Sequence, residues 1–331
     1  MRPYLNIQRL QSNPAALGLS ISAALLVGLL LHEIILGRFT VIFGEGDVLQ
    51  DFETAVISIL LSGYLVGAYY AVQRSTRNTI DELKRTWEPT SDASTMGFEE
   101  GMGKRLFFAM GLVGVLLATL MTHLLVEAPW DWSTWGPETW WHRLLGLFIG
   151  WWFTWFATAI ADSSESISRL SARIGSVDLL DHSPWFPSVR HGLLTAMLTI
   201  GAVSIGILYL VDPKLWLAVA IVLGVCLPLA LVTSLLPVRG VNQLISTAKQ
   251  SEIAWTRNRI RQFRSLMEKP SSDVAPGQMA DLTAYLELIK EVPEWPFQTS
   301  TMARLLFYLL IPVASWAGKQ MIQTALDQLF R

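Results

Sequence analysis

Charge is what this sequence has least of. Only 16% of its 331 residues are Asp, Glu, Lys or Arg, where a soluble domain carries about 25%. So poorly charged a chain cannot be solvated on every side. Its one cysteine, Cys226, sits inside an apolar run, which excludes a disulfide framework and the paired-cysteine motifs of zinc and redox sites. A net charge of -2 leaves no basic excess for nucleic acid, so none is expected as a partner. A phosphate loop, a nucleophile elbow, an HExxH helix and a dinucleotide fingerprint are all missing. No cofactor is implied, and the chain is not expected to be an enzyme.

What the chain has in abundance is apolar surface: 52% of it is hydrophobic, and its mean hydropathy is +0.40. A membrane-spanning helix needs about 20 mostly apolar residues. Six runs meet that length, at 15–36, 54–73, 105–126, 141–161, 192–211 and 214–237, and a seventh at 303–326 has a shorter apolar part. The first run is too long for a signal-peptide core and reads as a permanent anchor. Fourteen tryptophans fit a protein with long aromatic belts where hydrocarbon meets headgroups.

Lys and Arg placement sets the expected orientation. The N-terminal tail and the second, fourth and sixth connections carry nearly all of them, including Arg74, Arg77, Arg169, Arg190, Arg257 and Arg261. These connections are therefore expected in the cytoplasm with the N-terminus, and seven spans put the C-terminus in the periplasm. The same connections show helical spacing of apolar residues: Ile80 and Leu83; Ile167, Leu170 and Ile174; Val241 and Ile245. Amphipathic helices must bury those stripes, which predicts a small helical stalk beneath the bilayer. A last amphipathic helix, from about Gln278 to Val292, returns the chain to the membrane. Pro293 and Pro296 stop it, and Trp295 and Phe297 beside them form an interfacial hinge.

The fold class expected is therefore all-α: a polytopic bundle of about seven transmembrane spans with a cytoplasmic helical stalk. Residues 1–237 form the transmembrane domain, with helical extensions near 74–104 and 162–190. Residues 238–301 form the cytoplasmic amphipathic segment, and 302–331 the seventh helix and C-terminus.

Polar groups near the outer face are the best candidates for chemistry. His32 and Glu33 come late in the first span, and His123 comes late in the third with Glu127 one turn on. His142 begins the fourth. Ionisable groups at membrane depth are costly and so are functional suspects. Histidine with carboxylate suits a proton relay or a metal, but no HxH or HxxxH pair fixes a geometry, and one hydrogen bond at each helix end would satisfy them equally. No metal is therefore assigned. Between them the outer connection 127–143 holds five tryptophans broken by Pro, Gly and acidic residues, which fits a loop lying on the headgroups. Small residues four apart, as at Gly63 and Gly67 or Gly146 and Gly150, fit close helix packing within the chain. Pro312, Ser315 and Gly318 in the last span mark a kinked helix that a gate or pathway could use.

Two stretches, VDLLDHSPWFPSVRHGL (177–193) and EVPEWPFQTSTMARLLFYLLIPVASW (291–316), carry a wider likeness. Through Asp178 to Asp181, Pro187, Arg190 and Glu294 to Phe297 they resemble a group of uncharacterised bacterial polytopic inner-membrane proteins. The resemblance implies a bacterial inner membrane and brings no activity with it. The functional expectation is an oligomeric channel or passive transporter in a lipid bilayer, with a homo-oligomer as its working form. The rival is a sensor, or an accessory subunit of a larger complex, that binds a cytoplasmic protein at 241–292.

Overall fold

A computed structural model describes residues 13–37, 47–86, 103–125, 131–172, 179, 185–211, 216–267, 277–295 and scattered positions from 303 to 321. Among the described residues every regular element is helical. Seven α-helices follow in order: α1 (Pro14–Ile35), α2 (Asp47–Thr86), α3 (Lys104–Leu125), α4 (Pro137–Ala172), α5 (Phe186–Gly206), α6 (Trp216–Met267) and α7 (Gln278–Glu291). Short 3-10 segments precede α4, at Trp132–Thr134, and extend α5, at Ile207–Val211. Five helices, α1 to α5, are long and apolar enough to cross a membrane.

Local chemistry explains the ends. Asn13 accepts a hydrogen bond from the Ala16 amide, and Pro14 follows it, its fixed φ suited to the first helical position. Asp131 caps the first 3-10 turn by accepting from the Ser133 amide and hydroxyl, which also holds its carboxyl below the usual range. At the other end of the chain α7 stops at Glu291, before Pro293, as the sequence leads one to expect.

The helices do not stop where the apolar runs do. At 40, 36 and 52 residues, α2, α4 and α6 run on as continuous helices well past the length a bilayer needs. Their extensions lie at one end of the bundle, here the stalk end. The expected division at 237/238 falls inside α6, which carries Pro228 and Pro237 without ending. A helix can keep an internal proline when neighbours take up the freed backbone groups. Three residues beyond Pro237 the Gly240 amide donates to the Ser168 hydroxyl of α4, at 3.0 Å.

Packing sorts the helices into an inner and an outer set. α2 touches α1, α4 and α5, while α4 and α5 both touch α6. α1 and α3 flank this group and are largely exposed. Two crossings bring backbones together. A Cβ on Gly63 would collide with Gly18 and Ser22 of α1, and one on Gly114 of α3 would collide with Gly150 of α4. So the four-residue spacing at Gly63 and Gly67 and the glycine at Gly150 serve packing inside one chain. Gly146 has open space around it and takes no part.

Aromatic and aliphatic side chains fill the middle, with Leu65, Tyr69, Val72, Phe156 and Ile160 forming the largest core cluster. At the stalk end Leu83 of α2 packs on Ile167 and Leu170 of α4, next to Ile80. Trp185, Val189, Val238, Val241, Ile245, Ile289 and Val292 form a second stalk core from α5, α6 and α7. The apolar stripes read from the sequence are the faces that meet here. Arg190 ties the start of α5 to Glu82 of α2 at 2.6 Å.

Candidate functional site

The candidate polar group at the far end of the bundle divides in two. Glu33 is 6% exposed and lies 3.1 Å from the Nδ1 of its neighbour His32. The His32 ring stacks on Trp141, with centroids 5.7 Å apart. His123 instead faces Arg143, Nε2 to Nη1 at 3.3 Å, and the Arg143 guanidinium lies 4.7 Å over the Trp135 ring. Trp141 and Arg143 are two residues apart on α4, so they project about 200° apart around it. The two histidines are therefore held on different sides of α4. His142 is half-buried, and Glu127 lies outside the described residues. Among the described residues no three His, Cys, Asp or Glu side chains converge as a metal site would require.

The hinge is described in part. Val292 is buried, whereas Pro293, Glu294 and Trp295 are exposed; Pro296 and Phe297 lie outside the described residues. What fixes the hinge was not foreseen. Lys249, its side chain 13% exposed, donates to the Val292 carbonyl at 2.7 Å, and Asn242 donates to the Glu294 carbonyl at 3.0 Å. One helical turn further along, Tyr285 donates to Glu252 at 3.0 Å. Of the expected gate, Pro312 and Ser315 lie outside the described residues, and Gly318 has no neighbour within 4 Å of an added Cβ.

A different polar site emerges where α2, α4 and α5 meet. His191 of α5 is 0% exposed. Its Nδ1 lies 2.9 Å from the Ser75 hydroxyl of α2, and its Nε2 lies 3.2 Å from the Ser163 hydroxyl of α4. Ser163 already gives its own proton to the Ile160 carbonyl, at 2.9 Å. It must therefore accept from Nε2–H, and in the neutral ring Nδ1 then accepts from Ser75. The hydrogen-bond network thus places a proton on Nε2.

Small polar side chains extend this site along the seam. On α5 Ser188, Thr195 and Thr199 recur on the face that carries His191, and all are buried. Thr79, one turn on from Ser75, is buried on α2 as well. Nearer the far end the Ser58 hydroxyl donates to Thr54, so the Tyr209 hydroxyl, 2.8 Å away, donates to Ser58. Tyr64 donates to the Leu198 carbonyl across the same pair of helices. Most of these hydroxyls satisfy their protons on the preceding turn, as Thr195 and Thr199 do, and their oxygen lone pairs remain in the seam. On α4 the buried hydroxyls of Thr158 and Ser164 have no hydrogen-bond partner among the described residues. Asp162, 9% exposed, lies between them in sequence.

Sequence reasoning passed over this constellation for a clear reason. His191 opens a span beside no second histidine or acid, and serine is too common to signal. Its partners are 116 and 28 residues away. One usable signal was the run ADSSESISRLS in α4, rich in small polar residues for a helix of this length.

No family model, curated protein or solved structure matches the chain.

Proposed function

We propose that this chain is an integral membrane protein that works as a conduit, a channel or passive transporter, with its pathway in the seam between α2, α4 and α5. The single observation that carries the reading is the buried His191–Ser75–Ser163 constellation on three different helices. The group lies at the stalk end of the seam, where a titratable ring buried between three helices is a weak choice for packing alone, because an apolar side chain would fill the space without needing hydrogen-bond partners. Embedding in a bilayer is supported by the large apolar side chains exposed on the flanking helices, among them Leu19, Val27, Leu31, Leu112 and Leu116. The stalk end, rich in Lys and Arg, is the cytoplasmic one on this reading, and a bacterial inner membrane is the proposed location. The pathway we infer lies in the seam rather than along the seventh span. The described positions of that segment other than the half-buried Gly318, including Phe307, Ile311 and Met321, are exposed.

Cysteine labelling tests the reading. In a Cys226→Ser background, Thr195→Cys and Thr199→Cys should react with a small water-soluble thiol reagent about tenfold faster than Leu116→Cys on the lipid face, since only a hydrated thiol ionises readily. Equal inertness at all three positions would remove the seam as a pathway.

A second reading, a signal relay, is favoured by one feature: α6 runs unbroken from Trp216 to Met267 and so couples the bundle rigidly to the stalk. Gly-Gly in place of Gln250–Ser251 would soften that lever. A relay would lose its output, whereas solute flux through the seam would stay as it was.

A further inference from the structure

Each ring nitrogen of His191 faces a serine hydroxyl, and the chemistry of that pairing points to a use for the ring. A hydroxyl can donate or accept by rotating about a single bond. In the neutral ring Ser75 donates to Nδ1. Once a proton is added, Nδ1 becomes a donor and Ser75 must accept. Its own proton can then turn to the carbonyl one helical turn back, as its neighbour Thr76 already does to Val72 at 2.7 Å. Ser163 accepts from Nε2–H in both states and need not move. Both charge states are therefore hydrogen-bonded without any backbone shift.

We propose that His191 is a proton-binding site, loaded and unloaded at Nδ1 by way of the Ser75 hydroxyl, which makes transport through the seam proton-dependent. This rests on the conduit reading for its consequence but not for its chemistry. The proton is taken up at Nδ1 from the water on one side and is returned to water, so no other reactant is needed. Ser164, on the turn that carries Ser163, adds a second, independent sign of polar occupancy, because its hydroxyl is 0% exposed and unpartnered among the described residues. Such a hydroxyl is open to a water molecule or to a proton carrier. The charged groups near these residues on the surrounding elements include Arg74, Arg77, Asp81, Glu82, Lys84 and Arg85 on α2, Asp162, Glu165 and Arg169 on α4, Arg190 on α5 and Arg239 on α6. Arg190 is engaged with Glu82 and Arg169 with Glu165. Asp162 is the buried carboxylate of this set.

Nitrogen NMR of the histidine rings, on the full chain in lipid nanodiscs, tests the proposal directly. The chain has five histidines, so replacing the other four one at a time assigns the His191 signal even if His191 variants misfold. Between about pH 8 and pH 5, the range in which histidine ordinarily titrates, the His191 ring should pass reversibly from the Nε2-protonated tautomer to the imidazolium. A ring that stays neutral over the whole range overturns the proposal, whatever the protein transports. In proteoliposomes, His191→Gln, which keeps a donor and an acceptor, should lose the pH dependence of flux. An unchanged pH profile in that variant overturns it as well. Wild-type protein that passes no solute would instead contradict the conduit reading, and the NMR titration would still decide whether His191 takes up a proton.

Discussion

Gly18 and Gly63 meet backbone to backbone where α1 crosses α2: a Cβ on Gly18 would come within 2.7 Å of the Gly63 carbonyl oxygen. A backbone oxygen cannot swing aside as a long side chain would. Gly63→Val should therefore cost about 1–3 kcal/mol, the range for overpacking a well-filled contact. Gly146→Ala, made where no atom lies within 4 Å, should be neutral or stabilise by up to about 1 kcal/mol through helix propensity. Thermal unfolding in one detergent compares the two, and equal effects would contradict the described crossing.

Hydrogen bonds between the helices should matter less than this packing. Tyr64→Phe removes the bond to the Leu198 carbonyl, and Trp155→Phe removes the one to the Phe107 carbonyl, at 2.9 Å in both cases. In membrane proteins such bonds average about 0.6 kcal/mol. Each variant should therefore unfold close to the wild type. A loss as large as that of Gly63→Val in either variant would reverse the ranking.

At the hinge, Lys249 places a cation on the last carbonyls of α7, where the helix dipole favours it. Lys249→Met should loosen the docked α7 by about 1 kcal/mol, seen as faster amide exchange across Gln278–Glu291. Glu294→Gln should change little, because that pair is 3.9 Å apart and Glu294 is half exposed.

The threading has its own test. On the seven-span reading, a reporter fused after Arg331 lies in the periplasm, so alkaline phosphatase there should be active and a green fluorescent protein dark. The opposite pattern would place the C-terminus with the stalk and remove one span.

How much of this was legible beforehand depends on the range of the interaction. Helices governed by composition stood out: the first six apolar runs coincide closely with α1 to α6 and the 3-10 segment after α5, while most of the seventh, 303–326, lies outside the described residues. The stop before Pro293 was legible too, because proline acts on its own backbone. Apolar stripes such as Ile80 and Leu83, or Val241 and Ile245, foretold which faces pack. The continuity of α6 was not legible, because Pro237 reads as a break, whereas the helix runs through it while packed on α4 and α5. Azimuth was also hidden. Sequence places His32 and His123 at similar depth, but only the neighbours Trp141 and Arg143 show that they face different ways. His191 was hidden most completely, since nothing near it in sequence resembles its surroundings in the fold.

The most direct measurement of the central claim is solute flux across liposomes carrying the purified protein. The account predicts flux above that of empty liposomes, reduced when bulky side chains are placed in the seam at Thr195 or Thr199 and unaffected by the same change at the lipid-facing Leu116. Liposomes that pass no ion or small solute, or flux indifferent to Thr195 and Thr199, would contradict it.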